Sequence, residues 1–204
     1  MNINYGNEFT CTYLKICKHH ISIIALLMRK LKNDELDRKS PDEFRAMDKL
    51  PIVVVLDNVR SAYNVGSVFR TADAFPVEAI YLCGITGYPP HKEINKTALG
   101  ATETVKWKYY KSTLEAISEL KGLGYKIYAV EQTEGSVMLD NSQLLTPNFK
   151  FALVFGHEVD GVQQDVINNC DGCIEVPQGG TKHSLNIAVS AGVVLWEFFR
   201  KTCQ

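Results

Sequence analysis

The residues best suited to chemistry fall in three separate segments. The first runs from Asp57 to Asp73 and contains Asn64, Gly66 and Arg70. The second is Phe155-Gly156-His157-Glu158-Val159-Asp160-Gly161. The third runs from Val176 and Pro177 through Gly179, Gly180 and Ser184 to Leu185 and Asn186. Glu158 is a carboxylate that can hold an arginine or an asparagine in place. Gly156 lets a ligand touch the backbone, since it has no Cβ. Ser184 stands where a helix N-cap belongs, and a helix start offers free N–H groups to an anion such as the carboxylate of an amino-acid-like ligand. Asn64 is a good N-cap for the helix after it, and Arg70 in the second turn can project back over a strand end. Gly66 and Ser67 are poor interior helix formers, so something approaches closely there. Each residue also has a plainer reading: a structural cap, a surface arginine, a turn glycine, a solvated glutamate, a surface asparagine.

The elements around these segments decide what the residues can share. Ile52-Val53-Val54-Val55-Leu56 is an unbroken apolar, β-branched run, as expected of a strand buried on both faces. Ala79–Cys83, Tyr125–Val130, Phe151–Phe155 and Cys173–Val176 read the same way. Helical patterns over Val65–Phe75, Thr113–Leu120 and Leu185–Arg200 lie between them. This alternation predicts an α/β fold, a parallel sheet with helices on both faces. Ligands in such sheets sit beyond the carboxyl ends of the strands. The three segments follow three of those ends, after Leu56, Phe155 and Val176. Ala188, Ser190, Ala191 and Gly192 make the last helix slim along one stretch, which suits close helix packing. Ser40-Pro41-Asp42-Glu43 reads as a helix start. Residues 1–50 are expected to form an N-terminal extension or helical arm, and residues 51–204 one domain. Within the arm, residues 1–27 look unlike the rest, and Met28 is an alternative start.

Composition removes several function classes. Lys and Arg number 22 against 23 Asp and Glu, a net charge of -1, so any nucleic-acid footprint must be a local patch. Lys92, Lys96, Lys106 and Lys108, together with residues 28–50 and Arg60, are the candidates. The apolar run Ile21–Met28 is too short to span a bilayer and lacks a small-residue cleavage site. No membrane association and a cytoplasmic location are therefore expected. The six cysteines read as reduced thiols. Cys170-Asp-Gly-Cys173 lacks a second pair to complete a zinc site, so no metal is expected. No glycine fingerprint follows Leu56, where the chain has Asp57-Asn58-Val59-Arg60, which argues against an open-sheet oxidoreductase. His157 and His183 read as incidental loop histidines.

Taken in order, the three segments resemble the SpoU (TrmH-type) RNA ribose 2′-O-methyltransferases of the SPOUT superfamily. The resemblance spans about Pro51 to Arg200. It rests on Asn64 with Gly66 and Arg70, on Phe155-Gly156-x-Glu158-x-x-Gly161, and on Val176-Pro177 followed by Ser184-Leu185-Asn186. Val176-Pro177-Gln178 stands where Ile-Pro-Met is usual, a conservative departure. The resemblance implies a C-terminal deep trefoil knot, against the general rule that chains do not knot. It implies a homodimer through the C-terminal helix. It implies S-adenosylmethionine as cofactor, with Gly156, Val176 and Leu185 lining the adenosine pocket. It implies structured RNA as partner, tRNA or rRNA, and the short single-domain form leans toward tRNA. Arg70 is then the residue that acts on the 2′-hydroxyl, oriented by Asn64 and Glu158, while Ser184 and Asn186 hold the ribose or the cofactor. A non-catalytic RNA-binding homologue is the main rival, and an enzyme methylating a base nitrogen is another.

Overall fold

The computed structural model describes residues 28–141 and 150–202. Two units are distinct, Met1–Lys39 and Ser40–Gln204. In the first, a 3-10 turn at Asn33–Glu35 is the described element, and Arg29 pairs bidentately with Glu35. Residues 1–27, where the arm is expected to begin, lie outside the described residues.

The second unit is built on a parallel sheet of seven strands. They are β1 (Leu50–Asp57), β2 (Val77–Cys83), β3 (Trp107–Tyr110), β4 (Tyr125–Val130), β5 (Val137–Met138), β6 (Lys150–Phe155) and β7 (Gly172–Glu175). Their order is β3-β2-β1-β6-β4-β7-β5, and every pairing is parallel. The all-apolar run of β1 is explained by its central place. Ile52, Val54 and Leu56 face one core layer and Val53 and Val55 the other. Helices cover both faces, as the alternation predicts. The first layer holds α2 (Ala62–Ala74), α3 (Lys92–Ala98), α4 (Ala101–Thr104) and α7 (Ile187–Thr202), and the second α5 (Thr113–Gly122) and α6 (Gln164–Ile167). The short α1 (Pro41–Ala46) starts where expected, with Ser40 and Glu43 forming a reciprocal cap, and its Phe44 joins the first layer.

Two expected helix starts need correction. Asn64 does not cap α2. Ser61 does, its side chain accepting from the Asn64 N–H, and this extends the helix three residues upstream of Val65. Nor does Ser184 cap the last helix. Residues 177–186 stay irregular, and Asn186 precedes α7, its Oδ1 accepting the Ala188 N–H at 2.9 Å. In both cases the residue nearest the helix won over the one chosen from the pattern. β3, β5, α3, α4 and α6 had no clear periodicity and were not expected.

The close approach inferred at Gly66 is real, and it comes from α3 rather than from a ligand. A Cβ at Gly66 would sit 2.1 Å from Thr97 Oγ1 and 2.3 Å from the Ile94 carbonyl oxygen. The side chain can turn away, but the carbonyl cannot. Gly66→Ala should therefore destabilise the fold by about 1–3 kcal/mol through overpacking, outweighing alanine's better helix propensity. Urea unfolding should show a lower midpoint with an unchanged slope.

Candidate functional site

The carboxyl ends of β4, β6 and β7 open onto a cleft of about 560 Å³, a volume typical of small-ligand sites. Three loops wall it: residues 131–133 after β4, 156–162 after β6, and 176–187 after β7. Gly156, Glu158, Val176, Ser184, Leu185 and Asn186 all line it. Six of the eight expected site residues, from two of the three segments, thus meet at one place.

Asn64 joins them through hydrogen bonds. Glu158 accepts the backbone N–H of Arg60 at 3.0 Å and of Ser61 at 2.8 Å, and the Asn64 side-chain amide at 3.0 Å. Asn64 Oδ1 then accepts from Asn186 Nδ2 at 3.2 Å. The chain of bonds therefore runs from the start of α7 through Asn186 and Asn64 to a carboxylate. Burial pushes the Glu158 carboxyl upward, the largest single effect on it. The N–H groups of Arg60, Ser61 and Glu158 itself and the Asn64 amide outweigh this and hold it below its ordinary value.

Arg70 does not join. It lies six residues along α2 from Asn64, about 9 Å along the axis and about 120° around it. It is exposed and makes no hydrogen bond or ion pair among the described residues. Within one chain, Asn64 and Glu158 orient each other and Asn186, not Arg70. Arg60 is likewise exposed, and its backbone rather than its guanidinium binds Glu158.

Gly156 is needed for a reason other than ligand contact alone. A Cβ there would lie 2.1–2.3 Å from the backbone of Gly161 and Val162. The loop closes on itself through paired His157 and Gly161 backbone bonds, and His157 Nδ1 accepts the N–H groups of Val159 and Asp160. His157 is thus a loop-shaping residue.

Two groups went unnoticed in the sequence. Glu131 follows β4 directly, and its carboxylate accepts the Val162 and Gln132 N–H groups, while Gln132 Nε2 donates to the His183 carbonyl. Asp57, fully buried at the end of β1, accepts from Thr113 Oγ1, from the Gln163 N–H and from Asn58. A carboxylate at a strand end was the available signal for both. Cys170 and Cys173 are free thiols, and burial pushes Cys170 up to about 12. Among the described residues no three metal-ligating side chains cluster.

The sequence matches the model of the SpoU rRNA Methylase family over residues 51–196. It is 31% identical over 163 residues to the 23S rRNA (guanosine-2'-O-)-methyltransferase RlmB of Nitrosomonas europaea, covering 80% of this chain and 61% of the relative. With RlmB of Vibrio cholerae it shares 31% over 180 residues, covering 87% of this chain and 70% of the relative. Among solved structures, the AdoMet-bound rRNA methyltransferase from Sinorhizobium meliloti aligns with a TM-score of 0.69 at 27% identity, over 80% of this chain and 61% of that one. The A. aeolicus TrmH/SpoU tRNA modifying enzyme aligns with a TM-score of 0.67 at 26% identity, over 78% of each.

The Glu158 network carries a pH signature. Its folded carboxyl lies below the ordinary 4.5. A depressed group stabilises the fold when ionised, so the contribution is complete above the unfolded value and is lost as pH falls through the folded one. Glu158→Gln has one acceptor oxygen where three N–H donors and an amide converge, and should cost about 1 kcal/mol at pH 7. Urea titrations of both proteins should show that gap closing as the pH is taken below 4.5. A gap that is the same at low pH would remove the ionised network.

Proposed function

Because the chain belongs to the SpoU rRNA Methylase family, we propose that it transfers a methyl group from S-adenosylmethionine to a ribose 2′-hydroxyl of RNA. One observation carries this reading: a three-loop cleft at the strand ends whose rim holds the Glu158–Asn64–Asn186 chain. The similar structure from Sinorhizobium meliloti is AdoMet-bound. The curated relatives named as 23S rRNA enzymes shift the lean from tRNA, drawn from chain length, toward ribosomal RNA.

The cleft fits the cofactor. Val176 and Leu185 line it, and neither makes a backbone hydrogen bond among the described residues. Their N–H and C=O groups remain available to the edge of a purine. Gly156 keeps the opposite wall thin, and Glu131 and Gln132 offer polar side chains to hydroxyls. S-adenosylmethionine, when bound, supplies a sulfonium methyl that is already strongly electrophilic. The chain's own task is placement, which can contribute up to about 7–11 kcal/mol. Asn186 and Ser184 hold the ribose or the cofactor, and Asn64, fixed by Glu158, holds Asn186. Arg70 stabilises the alkoxide that develops at the 2′-oxygen, or helps a nearby phosphate to take the proton. A guanidinium has five donors and no acceptor, so it serves the first role directly and the second only through another group.

The same reading includes a homodimer through α7. Val189, Val193 and Trp196 are 52%, 39% and 51% exposed at one-turn spacing along it, and Gly192 beside them has nothing within 4 Å of a would-be Cβ. It also includes the C-terminal trefoil knot that the family resemblance implies. The methyltransferase domain, expected from residue 51, takes in residues 40–50 as well, since Phe44 and Leu50 join its core, and leaves 1–39 as the extension. No described helix is long and apolar enough to cross a membrane, in keeping with a cytoplasmic site of action.

Calorimetry should detect S-adenosylmethionine binding to the purified chain. A lack of binding would favour the non-catalytic RNA-binding homologue. Arg70→Ala should lower methyl transfer by at least about 10²-fold while cofactor affinity is unchanged. Mass mapping of ribose methyls in rRNA and tRNA, from cells with and without the gene, would identify the target. Full activity in Arg70→Ala would exclude Arg70 from the mechanism.

A further inference from the structure

Aromatic rings gather at the open edge of the sheet, apart from the cleft. β3 is the terminal strand, and Trp107 and Tyr109 share one of its faces. Tyr88, on the loop after β2, lies 4.7 Å from the Tyr109 ring and is stacked near the Trp107 ring at 6.3 Å. Trp107 packs on the core, whereas Tyr88 and Tyr109 remain 49% and 37% exposed. The rings are held in place. Tyr109 Oη donates to the Gly84 carbonyl at 2.9 Å, the Ile85 N–H donates to Asn58 Oδ1, and buried Thr86 accepts the Val59 N–H. An exposed, pre-positioned pair of rings binds a flat partner with little further loss of freedom.

Charge and position narrow the partner. Lys106 and Lys111 flank β3, about 17 Å apart along an extended strand. Both are exposed and without ion pairs among the described residues. Strand alternation puts Lys111 on the face of Trp107 and Tyr109 and Lys106 on the other with Lys108, which is bound to Glu119 at 2.6 Å. Rings beside a free lysine match a single nucleic-acid strand, with bases on the rings and a phosphate on the ammonium group. The loop carrying Tyr88 is pinned to residues 58–59, and the next two residues give their N–H groups to Glu158. The ledge is therefore built onto the segment that frames the cleft.

We propose that Tyr88 and Tyr109, over Trp107, form a stacking ledge for an unpaired RNA base beside the modified nucleotide, with Lys111 on a flanking phosphate. The proposal rests on the RNA methyltransferase reading and adds where the substrate strand lies. It is tested on the full chain with a fluorescent ten-nucleotide uridine RNA. Tyr88→Ala should lower affinity about 5- to 150-fold, and Tyr88→Phe should restore it. Lys111→Ala should flatten the salt dependence by about 0.7, the slope of one lost phosphate contact. S-adenosylmethionine binding, measured on each variant, should match the parent. Unchanged RNA affinity in Tyr88→Ala, or an unchanged salt slope in Lys111→Ala, overturns the ledge and leaves the methyltransferase reading intact. If Tyr88→Ala changes the mass seen by light scattering but not RNA affinity, the ledge is a contact between copies and the proposal fails. If the unaltered chain binds neither the RNA nor S-adenosylmethionine, both readings fall together.

Discussion

An ionised carboxylate can only accept hydrogen bonds, and the geometry of this site follows from that property of Glu158. Because Glu158 Oε1 accepts from it, the Asn64 amide must turn its NH2 toward the carboxylate. Its carbonyl oxygen then faces Asn186, which must donate. Asn186 is left with its own oxygen toward the Ala188 N–H at the start of α7. One negative charge thus fixes two amide orientations in turn and aligns them with a helix start. It does so across three segments that are 94 and 122 residues apart in sequence.

The loop that carries Glu158 is itself held by carboxylates on either side. β1, β6 and β4 are neighbours in the sheet. Asp57 at the end of β1 accepts the Gln163 N–H, and Glu131 after β4 accepts the Val162 N–H. Residues 156–163 are therefore anchored from both flanking strands while Glu158 reaches back to Arg60 and Ser61. Irregular backbone at strand ends leaves N–H groups that the ladder does not use, and each must find an acceptor. Acidic side chains placed there meet that need and fix the walls of the cleft before any ligand arrives. Gly156 belongs to the same arrangement, since only a residue without a Cβ lets the loop fold onto its own backbone.

The sheet and its central strands were legible because burial on both faces forces long apolar runs, as in Ile52–Leu56 and Phe151–Phe155. β3 and α3 were not, since an edge strand with exposed Lys108 and Tyr109 and a seven-residue helix carry little periodicity. Of the site, the three segments and their placement at strand ends could be read directly. The partners within them could not. Ser61 and Asn64 are both good caps three residues apart, and what separates them is the distant Glu158, which engages Asn64. Glu131 was missed because a lone carboxylate after a strand has the same sequence appearance whether solvated or bound to a loop N–H. Gly66 signalled close contact correctly, but sequence could not say that the neighbour was a helix.

Two features of the single chain lack a counterpart within it. Arg70 is exposed on α2, rotated away from the Glu158 network, and α7 presents Val189, Val193 and Trp196 to solvent. An apolar stripe of that kind on a helix otherwise packed in the core is ordinarily covered. α2 and α7 share a core layer, and Trp196 touches Phe75 at the end of α2. The proposed pairing through α7 would cover that stripe, on the same helix whose start is met by the Glu158–Asn64–Asn186 chain.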